Sequence, residues 1–257
     1  MSRKGNSIKI QVIPVTSGVW CFRRPSYFAC SYLVSEDAGA VAVDVGMDSD
    51  AEDFLQGLEA VSIRPERLRA ILLTHWHNDH SAGAAFLQRK FGVRIHYAAD
   101  EMPCLTRETA TSGIRGWLGK RVPEAGVLVL LRGILEEAAP EAVTADHLVT
   151  DGEIVEGSFR VLATPGHTGG HAAYVHEPTQ TLFCGDALAV VDNKLRLMAK
   201  PVTPDLSAAR ISALRCLREK VELICPGHRT PLTENVRQEC RRLQEYLEAG
   251  GRWPLLG

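Results

Sequence analysis

Four times along this chain, a short β-type apolar run ends in a polar or Pro/Gly turn that carries histidine or aspartate. Residues 68–73 run into Thr74-His75-Trp76-His77-Asn78-Asp79-His80. Residues 159–163 precede Thr164-Pro165-Gly166-His167-Thr168-Gly169-Gly170-His171. The run 181–184 leads to Gly185-Asp186, and 222–224 leads to Cys225-Pro226-Gly227-His228. A chain built this way presents nitrogen and oxygen donors on strand ends drawn from distant parts of the sequence.

Each loop has a local reason to present its donors. His75 and His77 are two apart, so an extended backbone turns both imidazoles to the same side. Asp79 and His80 fall at the turn into a helix. Pro165 and the glycines after it make a tight loop that carries His167 at a strand end. His171 opens the next strand and reads as a support behind the donors rather than as a donor. Gly185 permits close backbone approach, and Asp186 has two oxygens with which to bridge two cations. A polar loop of hydrogen-bonded histidines is the plain alternative for 74–80, and the three donor loops downstream weigh against it.

Between these loops, strand and helix signals alternate. Residues 8–12, 18–21, 30–34, 40–43, 93–97, 154–155 and 171–176 read as further strands. Residues 50–58, 82–90, 206–221 and 234–249 read as helices, with Gly92 ending the second. This suits a single α/β domain over 1–257, with two β-rich halves packed face to face and helices outside. Periodicity alone does not separate that from other α/β layer folds. The segment at about 98–145 differs, with Pro103, Pro123 and Pro140 and a patchy helical pattern. Its apolar residues Trp117, Leu118 and 127–135 suit a lid over the donors, plain core or a homodimer contact.

Composition removes several function classes. A net charge of -2 gives no global field toward nucleic acid or anionic lipid. No apolar run approaches the ~20 residues of a membrane span. No apolar stretch follows Arg3 and Lys4 to make a signal peptide, so a cytoplasmic protein is expected. The seven cysteines include no CxxC pair and read as small buried filler rather than a disulfide framework. No Ser-His-Asp or P-loop signature competes with the donor loops.

The His-x-His-x-Asp-His of 75–80, the Pro-Gly-His of 165–167, the Gly-Asp of 185–186 and the Pro-Gly-His of 226–228 resemble the metallo-β-lactamase superfamily, in that family's order. Val43-Asp44-Val45-Gly46 resembles its earlier aspartate motif. The resemblance implies a four-layer αββα sandwich with metals at one edge. Carried over residue by residue, it gives His75, His77 and His167 to a first metal and Asp79, His80 and His228 to a second, with Asp186 bridging. Asp44 and His171 would support the ligands without touching metal. The resemblance thus implies two divalent ions; all these donors are nitrogen or oxygen, so Zn fits, as do Mn and Fe. Cys184 reads as a strand-end core residue rather than a thiolate ligand.

The implied chemistry is hydrolysis by a hydroxide shared between the two metals, with Asp79 orienting it or relaying its proton. The motifs are similar to glyoxalase II-like and lactonase-like members, which points to a small-molecule ester, thioester or lactone. Residues 187–194 depart from the Gly/Arg-rich stretch with which glyoxalase II helps hold glutathione. Alternative activities are those of a β-lactamase, a phosphodiesterase or an iron-dependent persulfide dioxygenase.

Overall fold

Short β-branched and aromatic runs closed by turn residues pair with their sequence neighbours first. The structure, a computed structural model, describes residues 10–25, 27–106 and 141–255. Among these, β1 (Gln11–Thr16), β2 (Val19–Arg23), β3 (Cys30–Glu36) and β4 (Gly39–Val43) form an antiparallel meander. The chain then crosses over through α1 (Glu52–Ala60) to β5 (Leu68–Leu72), and through α2 (Asn78–Ser81) and α3 (Ala84–Phe91) to β6 (Arg94–Ala98). α4 (Met102–Leu105) follows, and β7 (His147–Val149) closes a seven-stranded sheet whose order is the chain order. From β4 to β7 the pairing is parallel.

The second sheet is built from β8 (Ile154–Val155), β9 (Phe159–Ala163), β10 (Ala172–His176), β11 (Thr181–Gly185) and, after a small hairpin of β12 (Ala189–Val191) and β13 (Lys194–Arg196), β14 (Leu223–Pro226). Its order is β14-β11-β10-β9-β8, with β14 parallel to β11. α5 (Leu206–Leu217) and α6 (Val236–Glu248) pack on its outer face.

Side-chain alternation explains the layering. Tyr32, Val34, Val41, Val43, Ala70 and Leu72 point between the sheets, where they meet Val161, Tyr174, Phe183 and Cys225. Their strand neighbours Leu33, Ala42 and Ile71 point outward to Phe54 and Leu58 of α1 and Leu87 of α3. In the second sheet, Leu162, Val175, Leu182 and Ile224 turn outward to Cys216 and Leu217 of α5 and Leu243 and Leu247 of α6. Strands covered on both faces read as continuous apolar runs, which is why they were easy to find and hard to orient from sequence. The result is the αββα sandwich. Two tyrosines tie its halves at the edge that carries the donor loops. Tyr174 donates its hydroxyl to the Leu73 carbonyl at 2.8 Å, and Tyr32 donates to the Pro226 carbonyl at 2.6 Å.

Several element boundaries differ from expectation. The helix expected over 206–221 ends at Leu217, because Arg218 N–H turns back onto the Leu214 and Arg215 carbonyls and tightens the last turn. The first strand is Gln11–Thr16, set by its pairing with β2, rather than 8–12; residues 8 and 9 lie outside the described residues. Asp79 and His80 sit inside the helical turn Asn78–Ser81. The apolar residues Trp117, Leu118 and 127–135 lie outside the described residues.

Candidate metal centre

The first donor loop is built on Asp44, which is buried at the end of β4 with φ 56°. Its Oδ1 accepts Thr74 N–H at 2.8 Å. Its Oδ2 accepts the Thr74 hydroxyl at 2.8 Å and His80 Nδ1–H at 2.9 Å. The Thr74 hydroxyl in turn accepts His75 Nδ1–H at 3.0 Å. One carboxylate thus fixes the loop entrance and the orientation of two rings, turning His75 Nε2 and His80 Nε2 toward the other donors.

Backbone carbonyls do the same for two other rings. His167 Nδ1–H donates to the Val202 carbonyl at 2.6 Å, and His228 Nδ1–H donates to the Tyr27 carbonyl at 3.1 Å. His77 turns its Nδ1 inward, 3.0 Å from His75 Nε2 and 2.9 Å from His167 Nε2. On the other side, His228 Nε2 lies 3.4 Å from His80 Nε2 and 3.4 Å from Asp79 Oδ2. Asp186 sits between the two groups. Its Oδ2 is 3.4 Å from His167 Nε2 and 3.5 Å from His228 Nε2, and its Oδ1 is 3.7 Å from His80 Nε2.

The side chains of His75, His77, Asp79, His80, His167, Asp186 and His228 therefore converge. Their atoms form overlapping triads: His75/His77/His167, His75/His80/Asp186 and Asp79/His80/His228. Asp44 and His171 stand behind them. His171 Nε2 accepts Asp186 N–H at 3.0 Å, and its Nδ1–H donates to the Thr164 hydroxyl at 2.7 Å. Cys184 points away, its thiol toward the Leu188 and Cys225 carbonyls, and burial pushes its pKa well up.

Two observations test whether a metal suits this cluster. With the Nδ1 protons of His75 and His167 committed elsewhere, His77 Nδ1 faces both of their Nε2 lone pairs about 3 Å away and can donate to only one. Asp186 Oδ1 is buried without a hydrogen-bond donor among the described residues. Converging lone pairs and an orphaned carboxylate oxygen are costly unless a cation is shared between them. The donor set fits divalent ions.

Electrostatics divide the cluster in two. Burial drives His75 and His167 down and takes His77 to about 4, with His167 adding to the effect. Burial acts on His80 and His228 as well, but carboxylates outweigh it. Asp79, Asp186 and Asp44 push His80 up to about 10, and Asp186 and Asp79 push His228 to about 9. One side is a neutral imidazole trio, and the other is rich in carboxylate charge. Perturbed groups gathered in this way mark a functional site.

Comparison with known proteins decides the family. Residues 27–228 match the metallo-beta-lactamase superfamily, an interval that spans all the converging side chains. The chain belongs to the metallo-beta-lactamase superfamily. Within that superfamily, it is 26% identical over 237 residues to the probable metallo-hydrolase YflN of Bacillus subtilis, covering 84% of this chain and 86% of the relative. It is 28% identical over 185 residues to the hydroxyacylglutathione hydrolase GloC of Haemophilus influenzae, covering 70% and 72%. A metallo-beta-lactamase family protein of Thermus thermophilus superposes with a TM-score of 0.65 at 25% identity, covering 92% of this chain and 81% of that one. A subclass B3 metallo-beta-lactamase of Bradyrhizobium japonicum shares the fold at a TM-score of 0.63 and 17% identity, covering 93% and 92%. This superfamily member is a metal-dependent hydrolase.

Sequence reasoning did not single out Glu101, nor the carbonyls of Tyr27 and Val202. The carbonyls leave no trace in residue type. Glu101 had a usable signal, because an acidic residue just beyond β6 occupies a strand end like those of the other donor loops.

Proposed function

We propose that this chain is a dinuclear hydrolase of a carboxyl-type small molecule, an ester, thioester or lactone. The observation that carries it is Asp186, whose two oxygens reach rings of both donor groups. In this reading, His75, His77 and His167 hold one divalent ion, Asp79, His80 and His228 hold the other, and Asp186 is shared. Zn suits the set, as do Mn and Fe. Bound there, the ions supply Lewis acidity and bring a water's pKa toward ~7.

The protein's own groups do the rest. His75, His80 and Asp186 form a buried floor. The side chains of Asp79 and His228 are 22% and 21% exposed, so substrate approaches over them and His77. Burial pushes the Asp79 carboxyl up, but His80 and His228 outweigh it and hold it below its ordinary value. Asp79 is therefore ionised at neutral pH, placed to orient the attacking water and accept its proton. Asp44 and His171 hold the floor in register and do not touch substrate.

The relative from Haemophilus influenzae is, by its name, a hydrolase of hydroxyacylglutathione. Residues 187–194 of this chain lack the Gly/Arg-rich pattern expected of glutathione binding. Residues 189–196 fold as the β12–β13 hairpin, with Val190 and Leu195 buried in the outer core. That favours recognition of the acyl part over recognition of a glutathione carrier. A cytoplasmic site of action fits seven free thiols. No helix among the described residues is long and apolar enough to cross a membrane.

The test is hydrolysis of an aryl ester, an acyl lactone, a glutathione thioester and a cephalosporin, each with and without chelator, alongside metal content of Asp186→Ala. Chelator-sensitive turnover of a carboxyl ester, thioester or lactone, lost with metal in Asp186→Ala, is expected. Full activity in Asp186→Ala would sink the shared-ligand assignment. Turnover of the cephalosporin alone would move the reading to a β-lactamase.

A further inference from the structure

Glu101 is not among the converging donors, yet it is 1% exposed and ends the turn that follows β6. Its Oε2 accepts Trp76 N–H at 2.8 Å. Its Oε1 accepts the Thr168 hydroxyl at 2.7 Å and Gly170 N–H at 2.8 Å. Trp76 lies between His75 and His77; Thr168 follows His167; Gly170 precedes His171. One carboxylate therefore joins the two loops that carry the His75/His77/His167 trio.

The contact is also close in the backbone. A Cβ on Gly170 would lie 2.8 Å from Glu101 N and 2.9 Å from Asp100 C, so no side chain intervenes between the loop and the turn. Burying a carboxylate costs free energy unless it is hydrogen-bonded, and here three donors satisfy it. The second donor group is held differently. His80 hangs from Asp44, and His228 from the Tyr27 carbonyl. None of the hydrogen bonds of Glu101 among the described residues reaches Asp79, His80 or His228.

We propose that Glu101 is a positioning residue dedicated to the first donor trio, setting how tightly His75, His77 and His167 hold their cation while leaving the Asp79/His80/His228 group untouched. This rests on the two-cation reading above. Groups that orient ligands without touching the cation typically change its affinity by roughly 10- to 100-fold when replaced. Glu101→Gln keeps the volume but sets an –NH2 against Trp76 N–H or against the Thr168 and Gly170 donors.

The experiment measures Zn(II) affinity and stoichiometry by competition with a chromophoric chelator. It uses the full chain, His77→Ala to disable the first group and His228→Ala to disable the second, each with and without Glu101→Gln. Glu101→Gln is expected to weaken the remaining cation by roughly 10- to 100-fold in the His228→Ala background and to leave it within about twofold in the His77→Ala background. Equal effects in both backgrounds, or none in either, overturn the proposal. If the parent chain binds a single cation, the two-cation reading fails, and if His77→Ala and His228→Ala each keep two, the division into these two donor groups fails; either way the proposal falls with it, and the parent and single variants show this before Glu101 is touched. Should Glu101→Gln fail to fold, Thr168→Val removes one of the three donors and is read against the same two expectations.

Discussion

Gly227 immediately precedes His228, and a single methyl added there should disable the centre. A Cβ on Gly227 would meet Asp186 Oδ1 closer than real Cβ contacts occur, and would lie 2.7 Å from His80 Cε1 and 3.1 Å from Gly185 C. The backbone has little freedom to retreat. Gly227 N–H donates to the Gly185 carbonyl at 2.8 Å, and its own carbonyl accepts Cys30 N–H at 2.8 Å. His80 is fully buried and tied to Asp44, so the Asp186 carboxylate is the group that must give. Relieving contacts of this kind takes a shift of on the order of 1 Å. Overpacking at a tight position costs about 1–3 kcal/mol of stability. A displacement of ~1 Å in a catalytic group costs about 100-fold in rate. Gly227→Ala should therefore remain folded by circular dichroism, bind at least one metal less tightly in a chelator competition, and turn over its substrate roughly 100-fold more slowly. Two metals bound as in the parent, with unchanged kcat, would refute the packing argument and the shared role of Asp186 together.

Replacing His171 by Ala removes the acceptor for Asp186 N–H and the donor to Thr164, and should lower stability by about 1–3 kcal/mol while two metals stay bound; loss of a metal by elemental analysis would promote His171 to a ligand. Asp53 gives a pH test away from the centre. Burial, then Asp48, raises its carboxyl from the ordinary 3.8 to about 7. The folded chain thus keeps a proton that the unfolded chain has released, so stability falls as pH rises through roughly 4 to 7 and is level above that. The full shift corresponds to at most roughly 4 kcal/mol, and Asp53→Asn should flatten this slope in urea titrations at pH 5 and pH 8. Parallel pH dependence in parent and variant would show that Arg24, 3.5 Å from Asp53, already neutralises the site.

The donor loops were legible because their causes are local. An apolar run, a Pro or Gly turn and a histidine or aspartate lie within a few residues of one another at His75, His167, Asp186 and His228. What holds those donors was less legible, because it comes from far along the chain. Asp44 was found through a motif, but Glu101 acts across 67 residues on Thr168, and Tyr27 acts on His228 across 201 residues, through a carbonyl that any residue type would offer. The missed strands fail for a related reason. β7 is three residues long and owes its conformation to pairing of His147 with His96. The β12–β13 hairpin turns on Asp192 and Asn193, both with positive φ, between two apolar stubs too short to show a period.

The donors come from both halves of the sandwich. His75, His77, Asp79 and His80 extend from the seven-stranded sheet, and His167, Asp186 and His228 from the five-stranded one. Each proposed cation would therefore be gripped by both halves at once. Fraying of α5, α6 or the β12–β13 hairpin, none of which carries a donor, would open neither grip. Bound cations would therefore tie the two sheets together and should stabilise the folded chain by mass action. Conversely, neither half could assemble a full ligand set before the other had docked against it, so during folding the centre would be completed last.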